Sequence, residues 1–144
     1  MASTPEAQAL TSYLEAHLDQ YLAELRELCA IECPTSSKIG VDQAGAWVRR
    51  WVAARGWELR DWPDTLVGDG LVATVRGGAG PRIMLVAHLD TVYSIGIAAE
   101  RPLQLNGDVL LGPGSADNKS GLLSGLYAMA ALEDLGMLAR CGTI

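Results

Sequence analysis

A continuous apolar run from Ile83 to Ala87, followed at once by His88, Leu89 and Asp90, constrains the fold of this chain more than any other segment. An uninterrupted apolar run of this length, bounded by a loop rich in glycine, is typical of a strand that is buried on both faces. Such a strand lies inside a sheet that is covered by helices. The chain is therefore predicted to have an α/β fold, with His88 at the carboxyl end of the buried strand, where ligands bind in such sheets.

Three amphipathic segments predict helices around this strand. Leucines and tyrosines spaced three or four positions apart predict one helix over 5–31, which ends before Pro34. A second helix is predicted to begin after residues 35–37 and to end at Gly56, since glycine adopts the left-handed conformation at the lowest cost. A third apolar helix is predicted over 119–135.

The remaining segments predict short strands and turns. Period-two patterns predict strands over 57–60 and 71–75, joined by a turn at 69–70, and a short strand over 109–111 after a turn at 106–108. Residues 94–102 are predicted to form an irregular loop, and 141–144 the opening of another strand. Helices before, between and after strands support the α/β assignment.

Composition and charge exclude several classes of protein. The 144 residues are 49% apolar, which is enough for a core, and the net charge of −6 makes a nucleic-acid partner unexpected. The N-terminal residues lack the basic and apolar regions of a secretory signal, and no apolar stretch is long enough to span a membrane. We therefore expect a cytoplasmic protein without a membrane partner. Cys29, Cys33 and Cys141 are expected to be reduced thiols.

Three side chains are candidates for chemistry. His88 and Asp90 lie two positions apart in an extended segment, so both point to the same face. Asp117 follows a glycine-rich loop, directly before the last predicted helix. A neutral imidazole binds zinc, and a carboxylate on its other ring nitrogen fixes the tautomer. From the residues alone, the pattern fits either part of a zinc site or a structural histidine hydrogen-bonded to its neighbour.

Two linked motifs carry a family resemblance. They are Ala-His-Leu-Asp-Thr-Val-Tyr at 87–93 and Gly-Pro-Gly-Ser-Ala-Asp-Asn-Lys-Ser-Gly at 112–121, with Asn-Gly-Asp between them. Together they closely resemble the dinuclear-zinc metallopeptidase family of aminoacylases, succinyl-diaminopimelate desuccinylases and glutamate carboxypeptidases, and most of all its glutamate carboxypeptidase branch. Residues 28–36 (LCAIECPTS) resemble the family's leading helix and turn, with Cys33 where serine is usual. The resemblance spans about residues 10–136.

The resemblance implies a fold and roles for the candidate residues. Residues 1–144 are expected to form the N-terminal part of the catalytic domain, a three-layer sandwich with an incomplete mixed sheet between helices. His88 would bind one Zn²⁺, Asp117 would bridge two, and Asp90 would orient His88 as a catalytic residue without touching metal. The peptide bond between Asp117 and Asn118 would be cis.

The resemblance also implies a reaction, with residues that the sequence does not contain. Family members hydrolyse a peptide or N-acyl amino acid bond with a metal-activated water, and many are homodimers. They need a Glu-Glu pair, a further acidic ligand, a distal histidine and a dimerisation domain. His17 is expected at the boundary of the core or at the surface, and Glu133 and Asp134 on a solvated helix face. We therefore expect this chain alone to be inactive.

Two other classes of protein share part of the sequence pattern, a nucleotide-binding protein and a non-enzymatic interaction fragment. The strand, glycine loop and helix over 108–123 have the layout of a phosphate-binding loop ending in Lys119 and Ser120, but Pro113 and Asn118 stand where that motif requires glycine. The other reading is a non-enzymatic fragment that associates through an unpaired strand edge and exposed apolar area.

Overall fold

The computed structural model describes residues 4–144 and combines helices with two small antiparallel sheets. In chain order its elements are α1 (Pro5–Ala16), α2 (Leu18–Ala30), α3 (Lys38–Ala54), β1 (Glu58–Trp62), β2 (Gly70–Thr74), α4 (Ile97–Glu100), β3 (Gln104–Asn106), β4 (Val109–Leu111), α5 (Lys119–Asp134) and a 3₁₀ turn (Met137–Arg140). None of the helices within 4–144 is long and apolar enough to cross a membrane. The predicted α/β class with an incomplete sheet is confirmed.

The single helix predicted over 5–31 is wrong, because the helix breaks at His17. The backbone there adopts φ −104° and ψ 7°, which ends α1 and starts α2. The His17 ring stacks on Tyr13, with centroids 4.1 Å apart, and its Nδ1 lies 2.7 Å from the Tyr13 carbonyl oxygen. Apolar residues keep the same spacing of three or four positions on both sides of His17, so the sequence pattern does not reveal the helix break. His17 is half-buried, in agreement with the expected boundary position.

The helix α3 is formed as predicted and supplies one side of the core. The Ser37 hydroxyl accepts a hydrogen bond from the Gly40 amide at 3.1 Å and caps the helix, and Gly56 ends the turn that follows with φ +69°. The apolar core joins α2, α3 and α5, and its largest fully buried apolar side chains are Leu25, Leu28, Leu123, Val48 and Val52. Burial of apolar side chains is the dominant favourable contribution to folding.

The two sheets are hairpins of unequal size. The strands β1 and β2 pair antiparallel from Glu58 opposite Thr74 to Trp62 opposite Gly70, so the predicted turn at 69–70 is wrong. Residues 63–69 connect the strands instead, and in this loop the Asp64 carboxylate accepts two backbone amides and so competes with strand pairing. The strands β3 and β4 pair across the predicted turn at 106–108, where Gly107 has φ +60°.

The predicted buried strand over 83–87 is extended but is neither paired along its length nor buried. Met84 and Val86 are 83% and 79% exposed, and only the first amide of the run, that of Ile83, donates a backbone hydrogen bond, to Thr143. A strand buried on both faces needs neighbours on both edges, and within residues 4–144 these neighbours are not supplied. The apolar run is therefore open to solvent. Residues 94–102 also differ from the prediction, since they contain the short helix α4.

An ion-pair network joins the ends of α1, α3 and α5. Arg55 contacts both Glu133 and Asp134 at 2.5 Å, and the Tyr13 hydroxyl donates to Asp134 at 2.6 Å. Asp134 is exposed, as expected, and Glu133 is half-buried. These carboxylates also hold the Arg55 side chain and the Trp57 indole, which the sequence pattern does not predict. Hydrogen bonds from Arg55 and then Tyr13 lower the pKa of Asp134, while burial and then the Asp134 contact raise the pKa of Tyr13 to about 12.

We expect the Asp134→Asn variant to be less stable at pH 7 by about 0.5–1 kcal/mol, the range for a partly exposed ion pair. Because the pKa of Asp134 is lowered in the folded state, its contribution is present above the unfolded pKa of about 3.9 and is lost as the pH falls through the folded value. Urea denaturation at pH 7 and at pH 3 measures both values. The Asp108→Asn variant, at an exposed turn, is the matched control. An Asp134→Asn deficit that persists undiminished at pH 3 would contradict this account.

Candidate active site

The carboxyl end of the extended segment 82–90 is fixed by the turn that follows α2. The Thr91 amide donates to the Cys33 carbonyl at 2.8 Å, and the Thr35 amide donates to the Thr91 carbonyl at 3.1 Å. The Cys33 thiol donates to the Leu89 carbonyl at 3.1 Å. Thr91 is buried. These contacts hold the backbone on both sides of Asp90, so the position of His88 is set at one end of its segment.

Asp90 lies between His88 and Thr35. Its Oδ1 is 3.1 Å from His88 Nδ1, and its Oδ2 accepts a hydrogen bond from the Thr35 hydroxyl at 2.5 Å. The hydrogen bond from Thr35, followed by that from His88, lowers the pKa of Asp90. In a neutral imidazole, a carboxylate at Nδ1 favours a proton on that nitrogen. The lone pair of Nε2 is then available to accept a hydrogen bond or to bind a cation.

Asp117 meets the other nitrogen of His88. The distance from His88 Nε2 to Asp117 Oδ1 is 2.8 Å, so the predicted meeting of these two side chains is observed. Asp117 belongs to a tight loop over 112–118, and its peptide bond to Asn118 is cis, as the resemblance implies. At Gly114 the backbone has φ +74°, and a β-carbon would lie 3.0 Å from both Lys119 and Thr91. The loop therefore packs closely on the segment that carries His88.

The charges at the site favour a protonated imidazole. The hydrogen bond with Asp117 raises the pKa of His88, partial burial opposes this, and the contact with Asp90 adds to the increase. Asp117 is 86% exposed, His88 46% and Asp90 30%, so a ligand can reach all three side chains.

These three side chains face a cavity of about 670 Å³. Its other side is formed by residues near α4 and β3, and Tyr93, Glu100, Arg101 and Gln104 are among them. The Glu32 carboxylate accepts hydrogen bonds from the amides of Gly96 and Ala98, and so holds this side of the cavity against the turn after α2. The site is a pocket between two loops at the end of an extended segment.

Sequence reasoning missed two residues that support this arrangement. Thr35 holds Asp90, although its Pro-Thr-Ser-Ser context indicates only a helix cap, and Glu32 holds the loop before α4. A threonine after a proline and a glutamate at a helix end are common in loops, so neither residue carries a signal of its own. The contacts join positions 55 and 64 residues apart.

The donors that could hold a metal ion are His88 Nε2 and Asp117 Oδ1. Imidazole nitrogen and carboxylate oxygen are both ordinary zinc ligands, so the chemistry of this pair fits the ion. In residues 4–144, no group of three or more histidine, cysteine or acidic side chains is arranged to hold a metal. Asp90 is turned toward the opposite nitrogen of His88. The described residues thus offer two donors of a suitable type.

Comparisons with known proteins agree with the two motifs. The chain is 32% identical over 115 residues to carboxypeptidase G2 of Pseudomonas sp. (strain RS-16), with 78% of the chain aligned. It is 31% identical over 116 residues to a putative [LysW]-lysine/[LysW]-ornithine hydrolase of Pyrococcus abyssi (strain GE5 / Orsay), with 81% aligned. It spans 28% and 31% of the lengths of these two relatives. No protein-family model matches the chain.

A solved structure supports the fold. The crystal structure of human carnosine dipeptidase 1 superimposes with a TM-score of 0.71 at 19% identity, over 90% of this chain and 31% of that one. Sequence similarity to two hydrolases and structural similarity to a dipeptidase therefore coincide over the same chain. The chain is similar in sequence to two hydrolases and in fold to a dipeptidase, and the resemblance to the metallopeptidase family that its two motifs predict is confirmed.

Proposed function

We propose that residues 1–144 form the N-terminal part of the catalytic domain of a zinc-dependent hydrolase that cleaves a peptide or N-acyl amino acid bond. The observation that carries this proposal is the convergence of His88 and Asp117, 2.8 Å apart, on one cavity. The names of the relatives, a carboxypeptidase, a hydrolase and a dipeptidase, support the same reaction class. We place the protein in the cytoplasm, and assign the family's homodimer contact to a domain outside these residues.

Each side chain has a distinct part in this proposal. His88 and Asp117 would hold the metal, and Asp117 would be the ligand shared by two ions. Asp90 holds the Nδ1 proton of His88 and keeps Nε2 directed at the cavity. Thr35 in turn holds Asp90. When bound, zinc lowers the pKa of a water molecule and polarises the substrate carbonyl.

Residues 1–144 alone are proposed to be inactive. Catalytic zinc sites use at least three protein ligands, and hydrolysis also needs a general base within reach of the attacking water. His88 and Asp117 supply two ligands, and Asp90 is engaged by Thr35 and His88. A base and a third ligand therefore have to come from elsewhere.

The purified chain with added Zn²⁺ is expected to hydrolyse N-acyl amino acids and peptides with a C-terminal glutamate no faster than buffer, because His88 and Asp117 supply fewer ligands than a catalytic zinc site uses. The measurement is amino acid release followed by mass spectrometry, with carboxypeptidase G2 as the positive control. Turnover above buffer that the His88→Ala variant abolishes would contradict the proposed inactivity and support the proposed site. Turnover that survives in His88→Ala would contradict both.

The chain is expected to bind Zn²⁺ weakly, with a Kd in the micromolar to millimolar range, because two protein donors hold the ion. We expect His88→Ala to raise the Kd at least about tenfold, which corresponds to 1.4 kcal/mol. Calorimetric titration with Zn²⁺ at pH 7.5 measures this change. The matched control is His17→Ala, which removes the other histidine of the chain at the break between α1 and α2. Equal losses in the two variants would indicate non-specific binding and contradict the site.

The pKa of His88 tests the geometry without metal. We expect Asp117→Asn to lower this pKa more than Asp90→Asn does, because the hydrogen bond to Asp117 is the largest cause of its increase. The measurement is a proton NMR titration of the two histidines. The Asp108→Asn variant should leave the titration of His88 unchanged. An unchanged His88 pKa in Asp117→Asn would show that the two side chains do not meet in solution.

A further inference from the structure

Lys119 is buried in the interior, although it carries a charge and begins the helix α5. Its side chain is among the largest that are fully buried, and its exposed fraction is 2%. The ammonium group donates a hydrogen bond to the Ile31 carbonyl at 2.6 Å, which is the one hydrogen bond of Nζ within residues 4–144. Burial of an ammonium group opposes folding, and a single carbonyl offsets only part of that cost. Core packing alone therefore does not account for a lysine at this position.

Lys119 closes the loop that carries Asp117. Its amide donates to the Gly114 carbonyl at 2.9 Å. A β-carbon at Gly114 would lie 3.0 Å from Lys119 Cδ and 3.3 Å from Cε, so the methylene stem of the lysine covers the Gly114 backbone. Because Asp117 lies between these two positions, the backbone that carries its carboxylate is held by Lys119.

The acceptor of the ammonium group belongs to the turn after α2, residues 31–35. Ile31 follows the last residue of α2, and carbonyls at the C-terminal end of a helix carry partial negative charge and lack partners within the helix. A long cationic side chain is suited to such a carbonyl. Lys119 thus ties the loop 112–118 to the end of α2 through a contact between positions 88 residues apart.

The turn after α2 also holds the other side of the His88 imidazole. The Thr35 hydroxyl in this turn donates to Asp90, which meets His88 Nδ1. Asp117 meets Nε2 of the same ring. The two carboxylates on opposite sides of the imidazole are therefore fastened to the same turn, one through Thr35 and the other through Lys119.

We propose that Lys119 is a positioning residue, which places Asp117 against His88 Nε2 by fastening the loop 112–118 to the turn after α2. The cavity at the candidate active site is lined by Asp117 but not by Lys119, so the lysine acts through the carboxylate. This inference rests on the proposed function, since it takes His88 and Asp117 as metal ligands. The distance between their side chains, however, can be measured without metal.

The first test uses Lys119→Met, which removes the ammonium group and keeps a side chain of similar length over Gly114. In the parent chain we expect a nuclear Overhauser contact between the His88 ring protons and the Asp117 β-protons. This contact should be lost in Lys119→Met, because the loop is released from the end of α2. A contact of parental intensity in Lys119→Met would overturn the proposal.

The matched control is Lys38→Met, which removes the other lysine of the chain together with its ion pairs to Asp42 and Asp69. We expect this variant to keep the contact between His88 and Asp117, since the control lysine has no part in the loop. Loss of the contact in both variants would show that it responds to any loss of stability, and would overturn the proposal.

Hydrogen exchange separates local release of the loop from a general loss of stability. In Lys119→Met the amides at positions 115 and 119, which donate to Gly112 and Gly114, should exchange at least about tenfold faster than in the parent. The amide of the core residue Val48 should accelerate less. Equal acceleration at Val48, including that of a variant that fails to fold, would assign Lys119 to the core in general and overturn the proposal.

Zinc binding connects the inference to the proposed function. In calorimetric titration with Zn²⁺, Lys119→Met should raise the Kd at least about threefold, and Lys38→Met should leave it unchanged. In the Asp117→Asn background Lys119→Met should cause no further increase, because the lysine acts through Asp117. A full further increase in that background would overturn the proposal. A parent chain that binds no Zn²⁺ would contradict the proposed function, and the Overhauser contact and exchange rates would still decide the role of Lys119.

Discussion

The pairing of Thr91 with Cys33 and Thr35 is the constraint on which the candidate site depends. It joins the turn after α2 to the end of the extended segment that carries His88. Without it, Asp90 would have no fixed place between Thr35 and His88, since little else holds residues 84–90. The helices provide the stability of the core, but this short pairing determines where the imidazole stands. Backbone hydrogen bonds therefore hold the segment that carries His88 at its carboxyl end, at Leu89 and Thr91, but not over residues 84–88.

Much of the fold follows from local sequence patterns, and the exceptions have physical causes. The caps at Ser37 and Gly56 and the turn at 106–108 are local chemistry, so they are predicted correctly. The break at His17 is invisible because the apolar period of α1 and α2 stays in phase. The turn predicted at 69–70 fails because Asp64 closes a longer loop by bonding backbone amides.

The residues of the candidate site also differ in whether the sequence predicts them. The two-residue spacing of His88 and Asp90 fixes their common face, and the family resemblance brings Asp117 to them, as the structure shows. Thr35 and Glu32 could not be found, because their contacts depend on the path of the chain between distant segments. A hydrogen bond between residues 55 positions apart produces no repeating pattern that could be recognised in the sequence. Sequence patterns thus predict donors more readily than the residues that hold them.

The sequence pattern of the apolar run over 83–87 predicts burial, but the structure leaves its side chains exposed. A run that is apolar at every position indicates neighbours on both faces and both edges. The described residues supply a neighbour only at Ile83, and the side chains from Met84 to Val86 remain exposed. Within residues 4–144 the apolar pattern therefore predicts more sheet pairing than the segment makes. Because the run ends in His88, the backbone that carries the imidazole is held by hydrogen bonds of the described residues only at Ile83 and beyond His88, at Leu89 and Thr91.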